Sequence, residues 1–590
     1  MADDGQVIRG INWRQAFPFT HIFRSFRIAI HLSKLILGLA LFLTVYLGGS
    51  ILDGIWPVHA RGVGGEVEQY EQIALYAAPG PFSAWRDQTN RDLDDQYAAL
   101  LTQYNIDQPQ EGQSPDDAHQ KLLDDAHNRR HISDIEQAII DERNKDVSQI
   151  ESDYQKEISS GDNGAAENTA APNPLAPAPD ANNPLAAPAI ATPAPPGEQA
   201  NLDAARQRDL AIANTYDQAW QEYQSVEMFK GVGLFKMFYQ YETQQITRIA
   251  RAAVRNDWLS RTGVLTYLYN FFAIGPVWLI WEHTIFAVLF IIIFLFAWSL
   301  FGGAISRIAA VHVAREEKIS VRQAMNFAVG KMLSFASAPV IPLLIVLVIG
   351  LIVSAVALIG NIPELGPIVI GALFALALLA GFVITLVLLG TAGGFNLMYP
   401  TIAVEGSDSF DAISRSFSYV YARPWRMLFY TAVAVVYGAV TYLFVHMFIW
   451  MMLVITHHFV GIGLFVNASD KRDLLQVMWP SPNYIGRLTY PINVLALNGG
   501  EKIGAYLIKF WVMLLVSFLA AFTISLYFSA NTIIYFLMRN EVDATELDDV
   551  YIEQADDELE PIVPGTTVVT TTTVTVEAVP TTPPPEAPPA

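Results

Sequence analysis

Residues 285–301 read IFAVLFIIIFLFAWSLF, a run of 17 residues without a charged side chain. A helix rises about 1.5 Å per residue, so a run of this length covers most of the roughly 30 Å hydrocarbon core of a bilayer. A strand at this depth would leave backbone groups without hydrogen-bond partners, whereas a helix bonds them internally. The stretch therefore predicts a membrane-spanning helix.

Five further apolar runs have the same character, which predicts six spans and an all-α, polytopic integral membrane protein. The predicted spans are TM1 at 35–52, TM2 at 276–303, a TM3–TM4 hairpin at 340–392, TM5 at 427–458 and TM6 at 505–538. Composition agrees, because 52% of the 590 residues are hydrophobic and 16% are charged, against about 25% charged residues in soluble domains.

Overall charge and cysteine content exclude several classes of function. The chain has 57 acidic and 36 basic side chains, for a formal net charge of -21. A nucleic-acid partner requires a basic surface, so none is expected. The chain lacks cysteine, which excludes disulfides, thiolate metal sites and cysteine nucleophiles. No cofactor-binding or catalytic motif stands out, so we expect neither a cofactor nor an enzyme.

Basic residues in the short segments between the spans predict the orientation. Such residues stay on the cytoplasmic side, so we expect a cell inner membrane protein with both termini in the cytoplasm and residues 53–275 outside. Small residues around Ala60 suit a signal peptidase, but the long segment before TM1 favours a span that is retained. The basic residues are Arg9, Arg14, Arg24, Arg27 and Lys34 before TM1, Arg307, Arg315, Lys318, Arg322 and Lys331 after TM2, Arg415, Arg423 and Arg426 before TM5, and Arg539 after TM6.

The extracytoplasmic part, 53–275, is predicted to contain a helical hairpin. Two amphipathic stretches, 114–159 and 201–228, carry apolar residues at helical spacing. An Ala/Pro-rich linker at 161–199 joins them and is expected to be disordered, because it cannot bury a core. The apolar stripes are expected to form the internal seam of the hairpin, and a coiled coil with a second copy is the alternative.

Two features of this part suggest sites, and each has a simpler explanation. His127 and His131 share a helix face, as zinc ligands do, but lack a third ligand, so we expect no metal there. Aromatic side chains crowd the approach to TM2 and predict a belt at the outer headgroup layer, with a substrate groove as the alternative. These are Tyr267, Tyr269, Phe271, Phe272, Trp278 and Trp281.

The cytoplasmic segments are predicted to be amphipathic or disordered. Residues 1–34, 304–339 and 393–426 each precede a span and are read as amphipathic or interfacial segments, and the sequence I-x-R-S-F occurs at both 22–26 and 413–417. Residues 459–504 form a second, smaller outer loop. The tail at 539–590 is acidic and then Thr/Pro-rich, which predicts disorder.

The helix predicted before TM5 is the most detailed of these. Ser407 or Ser409 is expected to cap it, Asp411 and Arg415 are expected to pair at i,i+4, and an apolar face is expected to lie in the headgroup layer. Basic and aromatic side chains are candidate lipid or interface anchors, binding lipid phosphate or serving orientation alone: Arg24, Arg415, Arg423, Trp425 and Arg426. The apolar face comprises Phe410, Ile413, Phe417 and Val420.

A 27-residue stretch, 400–426 (PTIAVEGSDSFDAISRSFSYVYARPWR), resembles a known family of membrane proteins. It is similar to the signature of bacterial polytopic proteins of the glycerophosphodiester-phosphodiesterase membrane-domain type and their uncharacterised relatives. In these proteins an acidic-Gly segment precedes a helix with the pattern A-hydrophobic-x-R-S-hydrophobic, and a span follows. The resemblance implies an accessory integral membrane protein, and no phosphodiesterase domain accompanies it. The matching residues are Glu405, Gly406, Ala412, Arg415 and Ser416.

The spans hold few polar residues. His446 in TM5 is a candidate intramembrane polar site, with a role in transport or gating, or else in hydrogen-bonded packing. Gly390, Gly393 and Gly394 are expected to break the end of TM4. The favoured function is a non-enzymatic scaffold or accessory subunit that binds membrane lipids and a protein partner, or a second copy, through its outer helices. A transporter or channel with a path among TM3–TM6 and a membrane-embedded lipid enzyme are the alternatives.

Overall fold

The computed structural model describes residues 17–76, 80–106, 115–165, 196–464, 474–482 and 499–551, with residues 490, 492 and 497. Within these ranges the secondary structure is helical, apart from one isolated bridge between Gly62 and Val232. The all-α, polytopic membrane fold is thereby confirmed. Arg9 and Arg14, most of the 161–199 linker, much of the 459–504 loop and the tail beyond residue 551 lie outside the described residues.

The α-helices of the described residues are numbered in chain order. They are α1 (Ser25–Ala29), α2 (Leu32–Ile55), α3 (Glu66–Tyr76), α4 (Gly80–Gln103), α5 (Pro115–His127), α6 (Ile132–Ala165), α7 (Pro196–Glu227), α8 (Leu234–Val254), α9 (Val264–Tyr269), α10 (Gly275–Glu282), α11 (Thr284–Ala297), α12 (Gly303–Arg315), α13 (Val321–Gly330), α14 (Met332–Ala357), α15 (Leu365–Glu405), α16 (Ser409–Ala422), α17 (Pro424–Leu464), α18 (Leu474–Met478) and α19 (Gly499–Asp543).

Seven stretches of the described residues are long and apolar enough to cross a membrane, one more than the six predicted. The additional stretch is Val264–Glu282, which the sequence assigned to the approach to TM2 and its start. The chain bends at His283, where φ is -133° and ψ is 50°. The span that matches TM2 therefore begins at Thr284 rather than at residue 276, and runs on through α12 to Arg315.

The first and last membrane helices, α2 and α19, pack closely and antiparallel. A Cβ atom at Gly38 would lie 2.6 Å from the carbonyl oxygen of Ala521. Nearby, Ser525 Oγ donates a hydrogen bond to the carbonyl oxygen of Ala29 at 2.8 Å. The start of α2 therefore lies beside the second half of α19.

This packing places the described N- and C-terminal segments at one end of the bundle, which we call the terminal end. There, Arg24 pairs with Glu316 at 2.6 Å and Arg539 Nε lies 2.9 Å from Glu405 Oε1. Tyr551 N donates to the carbonyl oxygen of Val404 at 2.8 Å. Residues 539–551, predicted to belong to the disordered tail, are therefore held against α15, and that part of the prediction is wrong.

The opposite end carries the insert, residues 56–263 between α2 and the additional apolar stretch, and we call it the insert end. The rings of Trp56 and Phe286 meet there, with centroids 5.1 Å apart. The additional apolar stretch packs against the insert along its length. Val264 N donates to the carbonyl oxygen of Asp257 at 2.9 Å, and Trp278 Nε1 donates to Glu66 at 3.3 Å.

Helix α15 continues through its glycines, so the predicted break at the end of TM4 is wrong. The glycines instead give α16 room to approach. A Cβ at Gly390 would lie 2.8 Å from the Phe417 ring, and one at Gly393 would lie 2.8 Å from Val420. Residues 393–405 thus belong to a membrane helix and not to an interfacial one.

Helix α16 packs on protein rather than lying in the headgroup layer alone. Its cap is Asp408, whose side chain accepts from Asp411 N at 2.9 Å, so the prediction of Ser407 or Ser409 is wrong. The predicted pair of Asp411 and Arg415 is confirmed at 3.0 Å. Phe410 is 67% exposed and lies off the buried face, which comprises Ser409, Ala412, Ile413, Ser416 and Tyr419.

The close contact of α2 with α19 predicts that Gly38→Ala destabilises the protein by about 1–3 kcal/mol, because backbone on the neighbouring helix cannot move aside cheaply. Gly54→Ala, in the same helix, is the matched control, since nothing lies within 4 Å of a Cβ there. Thermal unfolding of the two purified variants in mild detergent measures the difference. Equal stability of both variants would contradict the packing.

Candidate functional site

A buried polar cluster joins the insert to the segment that leads into α11, and we call it the insert-end cluster. Helices α3 and α8 and the α9–α10 segment supply its side chains. A π-helical turn, Asn270–Ile274, separates α9 from α10, and such turns interrupt regular helices often at functional positions. The cluster comprises Glu66, Glu71, Tyr241, Glu242, Gln245, Asn270, Trp278 and His283.

Glu66, the first residue of α3, is 1% exposed and satisfied on both oxygens. Its Oε2 accepts from Val63 N at 2.9 Å. Its Oε1 lies 3.3 Å from both Trp278 Nε1 and His283 Nε2. A buried carboxylate needs such partners, because its desolvation otherwise costs several kcal/mol. Glu66 thereby fixes the bend at His283, where α11 begins.

Glu71, one turn further along α3, links two other elements. Its Oε1 accepts from Asn270 Nδ2 at 2.8 Å, and its Oε2 accepts from the Tyr241 hydroxyl at 2.9 Å. Gln245 Nε2 donates to the same Oε2 at 3.3 Å. Asn270, Tyr241 and Gln245 are almost fully buried, so Glu71 holds α8 and the π-helical turn together through a largely buried network, to which Arg248 adds an ion pair at 3.6 Å.

Glu242 differs from its neighbours, because both of its carboxyl oxygens are buried without a hydrogen-bond partner. Gly275 packs against the carboxyl group, where any larger residue would clash. Burial raises the pKa of Glu242 to about 8. The group is therefore held mainly as the neutral acid at pH 7, in contrast to an ordinary surface carboxylate.

A helix cap and an ion pair also attach the insert to the rest of the chain. Asp53, near the end of α2, accepts from the backbone N–H groups of Phe235 and Lys236 at 2.9 and 3.0 Å. It thus caps α8 from another helix. Arg86 in α4 pairs with Glu282 at 2.8 Å. Together with the insert-end cluster, these contacts fix α8 to α2, and fix α3 and α4 to the segment that leads into α11.

The insert-end cluster connects several helices through buried carboxyl groups, and the carboxyl group of Glu242 is held mainly in its protonated form. Within the described ranges, no group of three or more His, Asp or Glu side chains has the arrangement of a metal site. His127 contacts Asp94 at 3.0 Å and His131 contacts Asp134 at 2.8 Å, so the two histidines face different carboxylates.

Within the insert, α6 and α7 pack side by side as a hairpin, which we call the rod. Its base has an apolar core, and Lys230 there pairs with Glu136 at 2.5 Å. Farther out, Arg143 lies over the Tyr216 ring at 5.0 Å and Arg208 over the Tyr154 ring at 4.6 Å. The internal seam predicted from the apolar stripes is present. The core residues include Tyr97, Leu101, Ile135, Ile139, Ala219 and Val226.

The rod is strongly acidic. Helices α6 and α7 together carry 15 Asp and Glu side chains against five Lys and Arg. Exposed acids line the outer part of α6, including Glu142, Asp146, Glu151, Asp153 and Glu157. The surface therefore attracts basic molecules and repels acidic ones, a second copy of the rod included.

The predicted anchors are dispersed over the terminal end, and most have acidic partners. Arg24 pairs with Glu316, Arg415 with Asp411 and Arg426 with Glu541. Arg423 is exposed, and the indole of Trp425 is 80% exposed, as an interface anchor requires. His446 is half-buried in α17 near the Tyr442 ring, at 6.0 Å between centroids, far along the chain from the anchors.

The aromatic belt is only partly as predicted. Phe272 and Trp281 are 71% and 74% exposed, which suits a membrane interface, but Trp278 is fully buried. The carboxylates of the insert-end cluster were missed. Glu242 follows Phe235 and Phe238 at helical spacing, and a carboxylate on an aromatic face is the signal that would have found it.

Comparison with models of protein families, with curated proteins and with solved structures finds no match to this chain. The resemblance of residues 400–426 to the glycerophosphodiester-phosphodiesterase membrane-domain type therefore stays a prediction.

The raised pKa of Glu242 predicts a pH-dependent gain of stability in Glu242→Gln. The folded state keeps the proton up to about pH 8, whereas the carboxyl group of the unfolded chain releases it near its ordinary pKa of 4.5. The wild-type protein therefore loses stability as the pH rises through this window. We expect little difference from the variant at pH 5 and a gain of about 1–3 kcal/mol at pH 8.

Thermal unfolding across this pH range measures the effect, with the exposed Glu142→Gln as the matched control. A Glu242→Gln gain that does not grow with pH would show that the buried carboxyl carries no such penalty.

Proposed function

We propose that this protein is a non-enzymatic membrane scaffold, or accessory subunit, which holds an acidic helical rod outside the membrane for a basic protein partner. The excess of acidic side chains on the rod carries this proposal. Electrostatic complementarity of this kind guides association and rejects partners of like charge. The same charge disfavours the alternative of self-association through the rod.

The mounting of the rod supports a scaffold. A flexible linker would be enough to anchor a binding module to the membrane. Here the insert-end cluster instead fixes the helices that lead to the rod. Glu66 and Glu71 are each bonded to side chains of other helices, and Asp53 caps α8 from within a membrane helix. A partner bound to the rod is thereby held in a set position relative to the membrane.

Orientation and lipid contact form part of the proposal. The terminal end carries the basic clusters that the positive-inside rule assigns to the cytoplasm, so we place it inside and the rod outside an inner membrane. Lipids are proposed as partners of the bundle. In the most apolar windows of Met332–Asn361 and Leu365–Glu405, 0% of the residues are buried, so these helices present apolar surface to the acyl chains.

Neutralising the rod tests the proposal. We expect Glu142→Gln, Asp146→Asn, Glu151→Gln and Glu157→Gln, combined in the full-length protein, to abolish co-purification of a basic extracytoplasmic partner from native membranes in mild detergent. The control replaces four exposed neutral residues of the same helix with alanine: Asn144, Ser148, Gln149 and Gln155. Salt at about 0.5 M is expected to weaken the wild-type complex, because it screens surface charge.

Identification of the co-purified proteins by mass spectrometry gives the readout. A partner retained equally by the neutralised variant and the control, or the absence of any partner from the wild type, would contradict the proposal.

A further inference from the structure

A second cluster of polar side chains, at the terminal end, has no role in the proposed scaffold. It lies where α1 leads into α2 beside the end of α12. Lys34, in the first turn of α2, is 0% exposed, and its Nζ has no hydrogen-bond partner. A buried ammonium without a counter-ion is strongly unfavourable, and buried charges in proteins are normally paired. An anion that bound beside this Nζ would offset that cost.

Two histidines accompany this lysine. His31 is the N-cap residue of α2, and its Nδ1 is buried without a partner. The ring of His312 from α12 lies 6.2 Å from the ring of His31, centroid to centroid. Burial and the positive charges of Lys34 and Lys318 lower the pKa of His31. Arg24 and Arg27 also interact electrostatically with His312.

The backbone adds a third contribution. Helix α2 has 24 residues, and no side chain caps its N-terminus. The first N–H groups of a helix point toward its N-terminus and carry partial positive charge, which makes this position suitable for an anion, phosphate above all. His31 and Lys34 lie in the same turn, and Lys34 interacts electrostatically with His31, so both side chains lie near these N–H groups.

We propose that Lys34, His31, His312 and the N-terminus of α2 form a binding site for a phosphate group. The favoured source is the headgroup of an anionic phospholipid. Leu32, the first residue of α2, is 66% exposed and begins a membrane span, which sets the site at headgroup depth. His31 is half-buried, so the headgroup reaches the site on the side where His31 and Leu32 lie.

The carboxylate nearest to these groups in the sequence does not fill the site. Glu316 follows α12 at 70% side-chain exposure and pairs with Arg24 at 2.6 Å. It therefore neutralises Arg24 and leaves the buried Nζ of Lys34 without an anionic partner. This arrangement distinguishes the site from the other basic side chains of the terminal end, such as Arg415 and Arg426, which pair with carboxylates directly.

The test measures thermal stability of the purified full-length protein in mild detergent with three additions. These are a short-chain phosphatidylglycerol, the matching phosphatidylcholine, and sodium phosphate against sodium chloride at equal ionic strength. We expect phosphatidylglycerol, but not phosphatidylcholine, to raise the melting temperature of the wild type by about 2–5 °C. A rise with sodium phosphate alone would support the site and assign it to a soluble phosphate compound.

Three variants locate the effect. Lys34→Met and His312→Gln are expected to lose the shift, whereas Arg423→Gln, which removes an exposed charge at the same end, is expected to keep it. Without ligand, Lys34→Met is expected to melt at or above the wild-type temperature, because it removes the unpaired ammonium. If Lys34→Met fails to fold, His312→Gln decides the matter. No shift in the wild type, or an undiminished shift in the folded variants, would overturn the proposal.

Discussion

The close contact between α2 and α19 is the constraint on which the arrangement of the chain depends. Gly38 allows the backbone of Ala521 to approach without an intervening side chain, and Ser525 bonds the turn before α2. In lipid, association of helices relies on packing and hydrogen bonds rather than on the hydrophobic effect. Joining the first membrane helix to the last brings both described terminal segments to one end of the bundle.

Polar residues at the two ends of the bundle serve different purposes. At the terminal end, ion pairs such as that of Arg539 with Glu405 join α19 to α15 and hold the segment before residue 551. At the insert end, buried carboxylates join the insert to the span that follows it. Between the two ends the most apolar windows of the spanning helices carry few charged side chains, so the ion pairs that join separate elements lie near the two ends.

Sequence periodicity and apolar length predicted the spans well, because helix formation in lipid is obligatory for any sufficiently long apolar run. They failed where tertiary contacts determine the ends and bends of the helices. Gly390 and Gly393 were predicted to end a helix, but they allow α16 to pack closely against α15. Val264–Glu282 was divided between an aromatic belt and the start of TM2, because its break at His283 depends on the partners of Glu66. The buried state of Lys34 was also beyond prediction, since a lysine at a span boundary ordinarily reaches water.

We propose that the rod and the terminal end lie on opposite sides of one membrane. Because the chain lacks cysteine, Ser148→Cys on the rod and Ser414→Cys on α16 give two single-cysteine proteins, both at exposed positions. A membrane-impermeant maleimide applied to intact spheroplasts is predicted to label the first at once and the second only after lysis. Labelling of Ser414→Cys in intact spheroplasts, with protection of Ser148→Cys, would contradict the account.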